Sequence, residues 1–215
     1  MKITAVVLSV FFCASAFGQL TPQQVLAKAA AYHDPNNEWP TLKATFHFTE
    51  TRPEGEASRS TMELNNELTY MKVDRGGKES YEITADSAKV LSGDKDPARG
   101  LRLRNYFLYL WGLPMKLYDE GTPFDSKVTT AEVDGITCDV IRVVYEKDTW
   151  YFSIDQKTGR MVQYKFYQDE ATGKGEVITL EDEITVRGIT IPQKRNWYTL
   201  PEMKYLGTDI LSRVE

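Results

Sequence analysis

The feature that most constrains this chain is a period-two alternation, repeated along most of its length and interrupted by glycine turns. Trp150, Phe152 and Ile154 alternate with Tyr151, Ser153 and Asp155, and Ala44, Phe46 and Phe48 alternate with Thr45, His47 and Thr49. Successive side chains of a strand point to opposite faces, so alternation means one buried face and one wet face. After the strand around 44–49, returning strands are expected at 60–64, 68–74, 81–84 and 89–92. Their turns are Arg52-Pro53-Glu54-Gly55 and Arg75-Gly76-Gly77-Lys78. The second half is β throughout, with strands at 127–133, 136–146, 149–155, 160–169, 176–186, 189–199 and 204–211. Asp134-Gly135, Lys157-Thr158-Gly159, Thr172-Gly173-Lys174-Gly175 and Arg187-Gly188 supply the turns. Turns this close together mark an antiparallel meander.

Two segments break the alternation. Thr21 to Tyr32 reads as a helix, with Thr21 as N-cap, Pro22 in the first turn and Gln24 at capping-box spacing. Val25, Leu26, Ala29 and Ala30 form its apolar stripe, and Asp34-Pro35-Asn36-Asn37 ends it. From Ala98 to Tyr118 the apolar positions Leu103, Tyr106, Phe107, Leu110 and Trp111 have helical spacing, widened by Leu101, Leu108 and Leu113. A helix apolar on most of its circumference is expected where both sides are covered, and Gly112-Leu113-Pro114 should break it. The expected fold is therefore mainly β with α: an open, unclosed antiparallel barrel of about eleven strands, curved because so long a sheet must curl or close, and covered by helices.

Composition narrows the function classes. The chain has 215 residues, 12% of them aromatic, and a net charge of −5. That aromatic content argues against disorder, and the acidic balance argues against nucleic acid as a partner. Met1-Lys2, the apolar run from Ile3 to Ala14 and the small residues Ala16 and Gly18 follow the order of a secretory signal peptide. Cleavage after Gly18 would leave 19–215 as one half-barrel domain and place the protein in the periplasm. Phe11 and Phe12 before Cys13 are too bulky for a lipidation site, and the exported chain would keep only Cys138, read as a buried small residue. His47 alternates outward and reads as solvated, whereas His33 at a helix end reads as an imidazole whose protonated form suits the dipole. HExxH, GxSxG and CxxC are absent, and Glu181-Asp182-Glu183 reads as a solvated strand. No catalytic residue, metal or cofactor is expected.

The layout resembles the periplasmic lipoprotein-carrier superfamily of LolA, LolB and related outer-membrane lipoprotein-sorting proteins. The resemblance is carried by the first helix and by the strands Leu42 to Thr49 and Tyr70 to Val73. Trp150 to Asp155 running into Lys157-Thr158-Gly159-Arg160, and the Gly188-Ile189-Thr190-Ile191-Pro192 strand, add to it. It spans almost the whole mature chain, in the manner of an uncharacterised exported branch. It implies a non-enzymatic carrier whose cavity shields acyl chains from water, at roughly 0.8 kcal/mol per buried CH₂. The implied partner is a lipid or lipidated protein, with room for an envelope-protein partner and for transient contact with a membrane surface. Family carriers use an arginine on an early strand. Arg52 and Arg59 stand nearby outside any matching motif, so that role is not carried over. The expected ligand-binding residues are the inward sets Phe46, Phe48, Met62, Leu64, Tyr70, Trp150, Phe152 and Ile154, with Phe107, Leu110 and Trp111 as the lid. The alternatives are a structural or interaction module with a filled barrel, and a hydrolase.

Overall fold

The computed structural model describes residues 20–94 and 96–215, so the leader expected at 1–18 lies outside the described residues. Helix α1 spans Pro22–His33. Thr21 caps it as expected: its hydroxyl accepts from the Gln24 backbone while the Gln24 side chain accepts from the Thr21 backbone. Pro22, Val25, Leu26, Ala29 and His33 form its buried face. The Asp34 carboxylate then accepts the backbone N–H groups of Glu38 and Trp39 at 2.7 and 2.9 Å, which starts a 3₁₀ turn at Trp39–Thr41.

The strands that follow are β1 (Lys43–Thr51), β2 (Ser58–Asn65), β3 (Tyr70–Asp74), β4 (Ser80–Thr84) and β5 (Ser87–Ser92). After the helical segment come β6 (Phe124–Val133), β7 (Ile136–Val144), β8 (Thr149–Asp155), β9 (Met161–Asp169), β10 (Lys174–Val186), β11 (Ile189–Leu200) and β12 (Tyr205–Val214). Among the described residues twelve strands, rather than about eleven, join one antiparallel sheet in the order β5-β4-β3-β2-β1-β12-β11-β10-β9-β8-β7-β6. β5 and β6 are its edges and do not pair, so the barrel stays open. Helix α1 touches both β11 and the β6–β7 edge. A flat sheet would separate those strands by roughly 20 Å at about 4.8 Å per strand, so the sheet must curl around the helix.

The segment between β5 and β6 crosses the concave face from one edge to the other. It consists of α2 (Pro97–Arg104), a π turn at Asn105–Tyr109 that continues to Trp111, and a 3₁₀ turn at Met115–Tyr118. The break expected at 112–114 is present, and Gly112 serves a second purpose. A Cβ there would lie 2.4 Å from the Trp39 ring, so only glycine lets the first 3₁₀ turn pack against the lid.

The lid divides the core in two. On one side Phe46, Phe48, Met62, Met71, Val73 and Tyr81 pack against Leu103, Phe107 and Trp111. On the other, α1 and strands β6 to β10 pack against Leu110, Leu113 and Leu117. Fully burying each such side chain contributes about 1.5–3 kcal/mol. Among the described residues no helix is long and apolar enough to cross a membrane.

Two local readings change. The third strand begins at Tyr70 rather than Leu68, because Asn66–Leu68 forms a 3₁₀ turn capped by the Asn65 side chain. His33 does lie at the end of α1, but it is fully buried there, which overturns its reading as a protonated imidazole. Its Nδ1 donates to the Thr190 carbonyl at 2.7 Å, and its Nε2 accepts the Met161 backbone N–H at 2.9 Å. Both ring nitrogens are thus engaged in the neutral form, and burial lowers the imidazole pKa to about 4.

Candidate functional site

Cross-strand rows on the concave face set the site chemistry. One row runs Ala44, Leu64, Met71, Ile83 and Ala88 through β1 to β5. Another runs Val143, Trp150, Phe166 and Glu176 through β7 to β10. A third crosses the middle of the sheet as Arg195, Asp209 and Glu50, three charges on an otherwise apolar face. All three are buried.

Buried charges need partners. Glu50 accepts from Ser60 at 2.7 Å and pairs with Arg75 at 3.1 Å. Asp209 pairs with Arg52 at 2.8 Å and accepts the Tyr106 hydroxyl at 2.6 Å. Burial, together with that carboxylate, pushes the Tyr106 phenol well above its ordinary value. The Arg195 guanidinium lies 3.5 Å from the centroid of the Trp111 ring and donates to the carbonyls of Pro192 and Leu110, at 2.7 and 3.2 Å. Among the described residues its Nε, the hydroxyl of Tyr164 and the indole nitrogen of Trp197 make no hydrogen bond of ordinary geometry, although Arg195 and Tyr164 interact electrostatically. At the start of the lid, Arg99 grips Glu79 through two bonds of 2.6 Å, and Tyr81 donates to the same carboxylate at 3.0 Å. The lid is therefore tied to the sheet at Arg99, Tyr106 and Leu110.

Between these ties the lid leaves a cleft on each side. The first, about 880 Å³, has apolar walls from Trp39, Leu64, Met71, Ile83, Leu108 and Met115, with Arg104 and Asp86 at its rim. The second, about 700 Å³, lies between Tyr106, Tyr109 and Leu110 of the lid and Trp150, Phe166 and Trp197 of the sheet. Asn105, Tyr109, Lys116 and Asp119 border both.

The expected ligand-contacting residues divide accordingly. Leu64 and Tyr70 line the first cleft; Leu110 and Trp150 line the second. Phe46, Phe48, Met62, Phe107, Trp111, Phe152 and Ile154 are buried in the two core clusters and border neither cleft. Tyr70 is half-buried on the strand face of Lys72 and Asp74, whereas the inward residues of β3 are Met71 and Val73. Arg195, Asp209, Glu50 and Glu176 were missed by the sequence reading. Their signal is a charge in register with apolar neighbours: Ile189, Ile191, Arg195 and Trp197 share one parity, as do Phe46, Phe48 and Glu50. Cys138 is buried as expected, and burial raises its thiol to about 11.

Known structures share this architecture. A LolA superfamily protein from Nitrosomonas europaea superposes over 91% of this chain and 93% of its own, with a TM-score of 0.57 at 11% identity. A domain described as an outer membrane lipoprotein-sorting protein, from Vibrio parahaemolyticus, does so over 89% and 90%, at 0.55 and 11%. A DUF1329 family protein from Desulfovibrio piger does so over 90% and 92%, at 0.52 and 11%. At such identity the likeness speaks to fold alone, and the fold is LolA-like. No curated protein sequence matches the chain. Over residues 2–215 it matches the family described as Family of unknown function (DUF6503), and it belongs to that family.

Proposed function

We propose that this protein is an exported, periplasmic, non-enzymatic carrier or binding protein for a lipid, a lipoprotein acyl chain or another apolar ligand. The first cleft is the observation that carries this reading. Its volume of about 880 Å³ falls in the range of small-molecule sites, and Trp39, Leu64, Met71, Ile83, Leu108 and Met115 give it apolar walls. The lid beside it is held both by the polar ties at Arg99, Tyr106 and Leu110 and by Leu103, Phe107 and Trp111 packed in the core, so the cleft wall is preformed. The LolA-like neighbours support the same reading, as does the secretory pattern at 1–18. The mature form then begins at Gln19 and folds as one domain.

The test is a titration of the purified mature chain with a fluorescent fatty acid, with native mass spectrometry of the protein as isolated. Saturable uptake is expected, along with a loss of at least about tenfold in affinity for Leu108→Glu, which places a charge in the cleft wall. Absence of both copurified lipid and saturable uptake would sink the carrier reading. It would favour instead a cell-envelope interaction module, to which the seven core aromatic and aliphatic side chains that border neither cleft also lend support.

A further inference from the structure

The second cleft differs chemically from the first. Its walls are aromatic: Trp150 and Phe166 stack at 4.7 Å, Tyr109 meets Trp150 edge-on at 5.9 Å, and Tyr106 stacks on Trp197 at 6.0 Å. Its charges are nearly all negative, from Asp119, Glu120, Asp148 and Glu176. Most of its polar groups are occupied within the protein. Asp148 accepts the Trp150 indole N–H at 2.7 Å, and the hydroxyls of Tyr109 and Tyr145 bond to each other at 2.8 Å. Among the described residues Lys116 is the only basic one bordering the cleft, and Asp119 holds it at 2.5 Å.

Glu176 stands out from this pattern. Cross-strand register places it beside Phe166, in the same inward row as Trp150. It is half-buried, and among the described residues it has no hydrogen-bond or ion-pair partner. Desolvation alone accounts for the rise of its carboxyl pKa. An apolar guest would leave this carboxylate unpaired and further desolvated, and an anion would meet several carboxylates. A metal ion is poorly served, because no group of three ligating side chains exists among the described residues. A cation on an apolar body satisfies both features at once. Its charge pairs with Glu176, and its alkyl surface lies against aromatic faces, where the attraction contributes about 0.5–2 kcal/mol.

We propose that the second cleft binds an organic cation, an amine or quaternary ammonium, with Glu176 as counter-ion and Trp150, Phe166 and Tyr109 as its walls. This site is additional to the acyl-chain cleft, with which it shares a border at Asn105, Tyr109, Lys116 and Asp119.

The test uses choline and its uncharged isostere 3,3-dimethyl-1-butanol, titrated into the mature protein at constant ionic strength and followed by tryptophan fluorescence and calorimetry. Choline is expected to saturate, with the isostere and the Glu176→Gln variant each weaker by about tenfold or more. Trp150→Leu should weaken choline as well, so the wall is tested independently of the charge. Equal binding of choline and the isostere overturns the proposal, as does a choline affinity unchanged by Glu176→Gln or no saturation below about 50 mM. Fatty-acid uptake by Glu176→Gln is expected to persist, so failure of the cation site and failure of the carrier reading separate cleanly. Lysophosphatidylcholine resolves the source of the cation. If it binds more tightly than choline and displaces the fluorescent fatty acid, the cation is a lipid headgroup. If it binds no more tightly than choline and leaves the fatty acid in place, the cation is a free amine.

Discussion

At the scale of single residues, His33 shows how burial decides protonation. A helix C-terminus favours imidazolium, by about 0.3–1 kcal/mol at an exposed position. Here desolvation outweighs that preference, and Nε2 is already committed to the Met161 N–H. The folded pKa of about 4 lies below the ordinary 6.5, so the unfolded chain binds the proton more readily. Stability from this residue is therefore complete above about pH 6.5 and is lost as pH falls toward 4, in total on the order of 3 kcal/mol. Urea unfolding at pH 7, 6, 5 and 4.5 should show that decline in the wild type and a flatter profile in His33→Gln. Matching slopes in the two proteins would mean that another group governs the acid limb. His33 also marks what sequence alone could not supply. Its helix position was evident, but its burial arises from β9 and β11, more than a hundred residues away.

At the scale of elements, the lid combines a strong apolar stripe with separate polar ties. Tyr106 sits in the π turn and sends its hydroxyl to the buried Asp209 carboxylate. Tyr106→Phe keeps the ring stacked on Trp197 but removes a bond to a charged acceptor, a loss of about 1.5–3 kcal/mol. Amide exchange is expected to accelerate across 97–118 while β1, β11 and β12 stay protected. A uniform acceleration over the whole chain would show that the tie belongs to the global fold rather than to the lid. The strands were legible because Trp150, Phe152 and Ile154 repeat at period two, and α1 because Thr21, Pro22 and Gln24 spell out a cap. The π turn was not, because Asn105–Tyr109 has the composition of an ordinary helix. The charged row was hidden for a different reason. Arg195 and Asp209 meet across the β11–β12 hairpin, but Glu50 is far away in sequence and joins them only through the β1–β12 register.

At the scale of the whole molecule, strand order explains why the lid lies where it does. The meander is divided at its middle: β1 and β12 are neighbours, with Thr45 and Glu215 exchanging backbone hydrogen bonds of 2.8 and 2.9 Å. The midpoint of the chain must then travel from the β5 edge to the β6 edge, and its shortest course is over the concave face. The segment 96–123 thus works like the string of a bow whose limbs are the two halves of the sheet. The string is continuous with a strand at each tip, so a cleft that widens is expected to draw on both limbs. A guest that pushes the segment outward must flatten the curl, and the strain spreads along every ladder instead of gathering at one hinge. Filling the first cleft with a fatty acid should therefore alter hydrogen exchange at β5 and β6, which carry the fastenings, as well as at the cleft wall. Changes confined to the wall would show that string and limbs move independently. A carrier built this way would sense its cargo through its whole curvature, and a partner touching either rim could loosen that cargo without reaching the cleft.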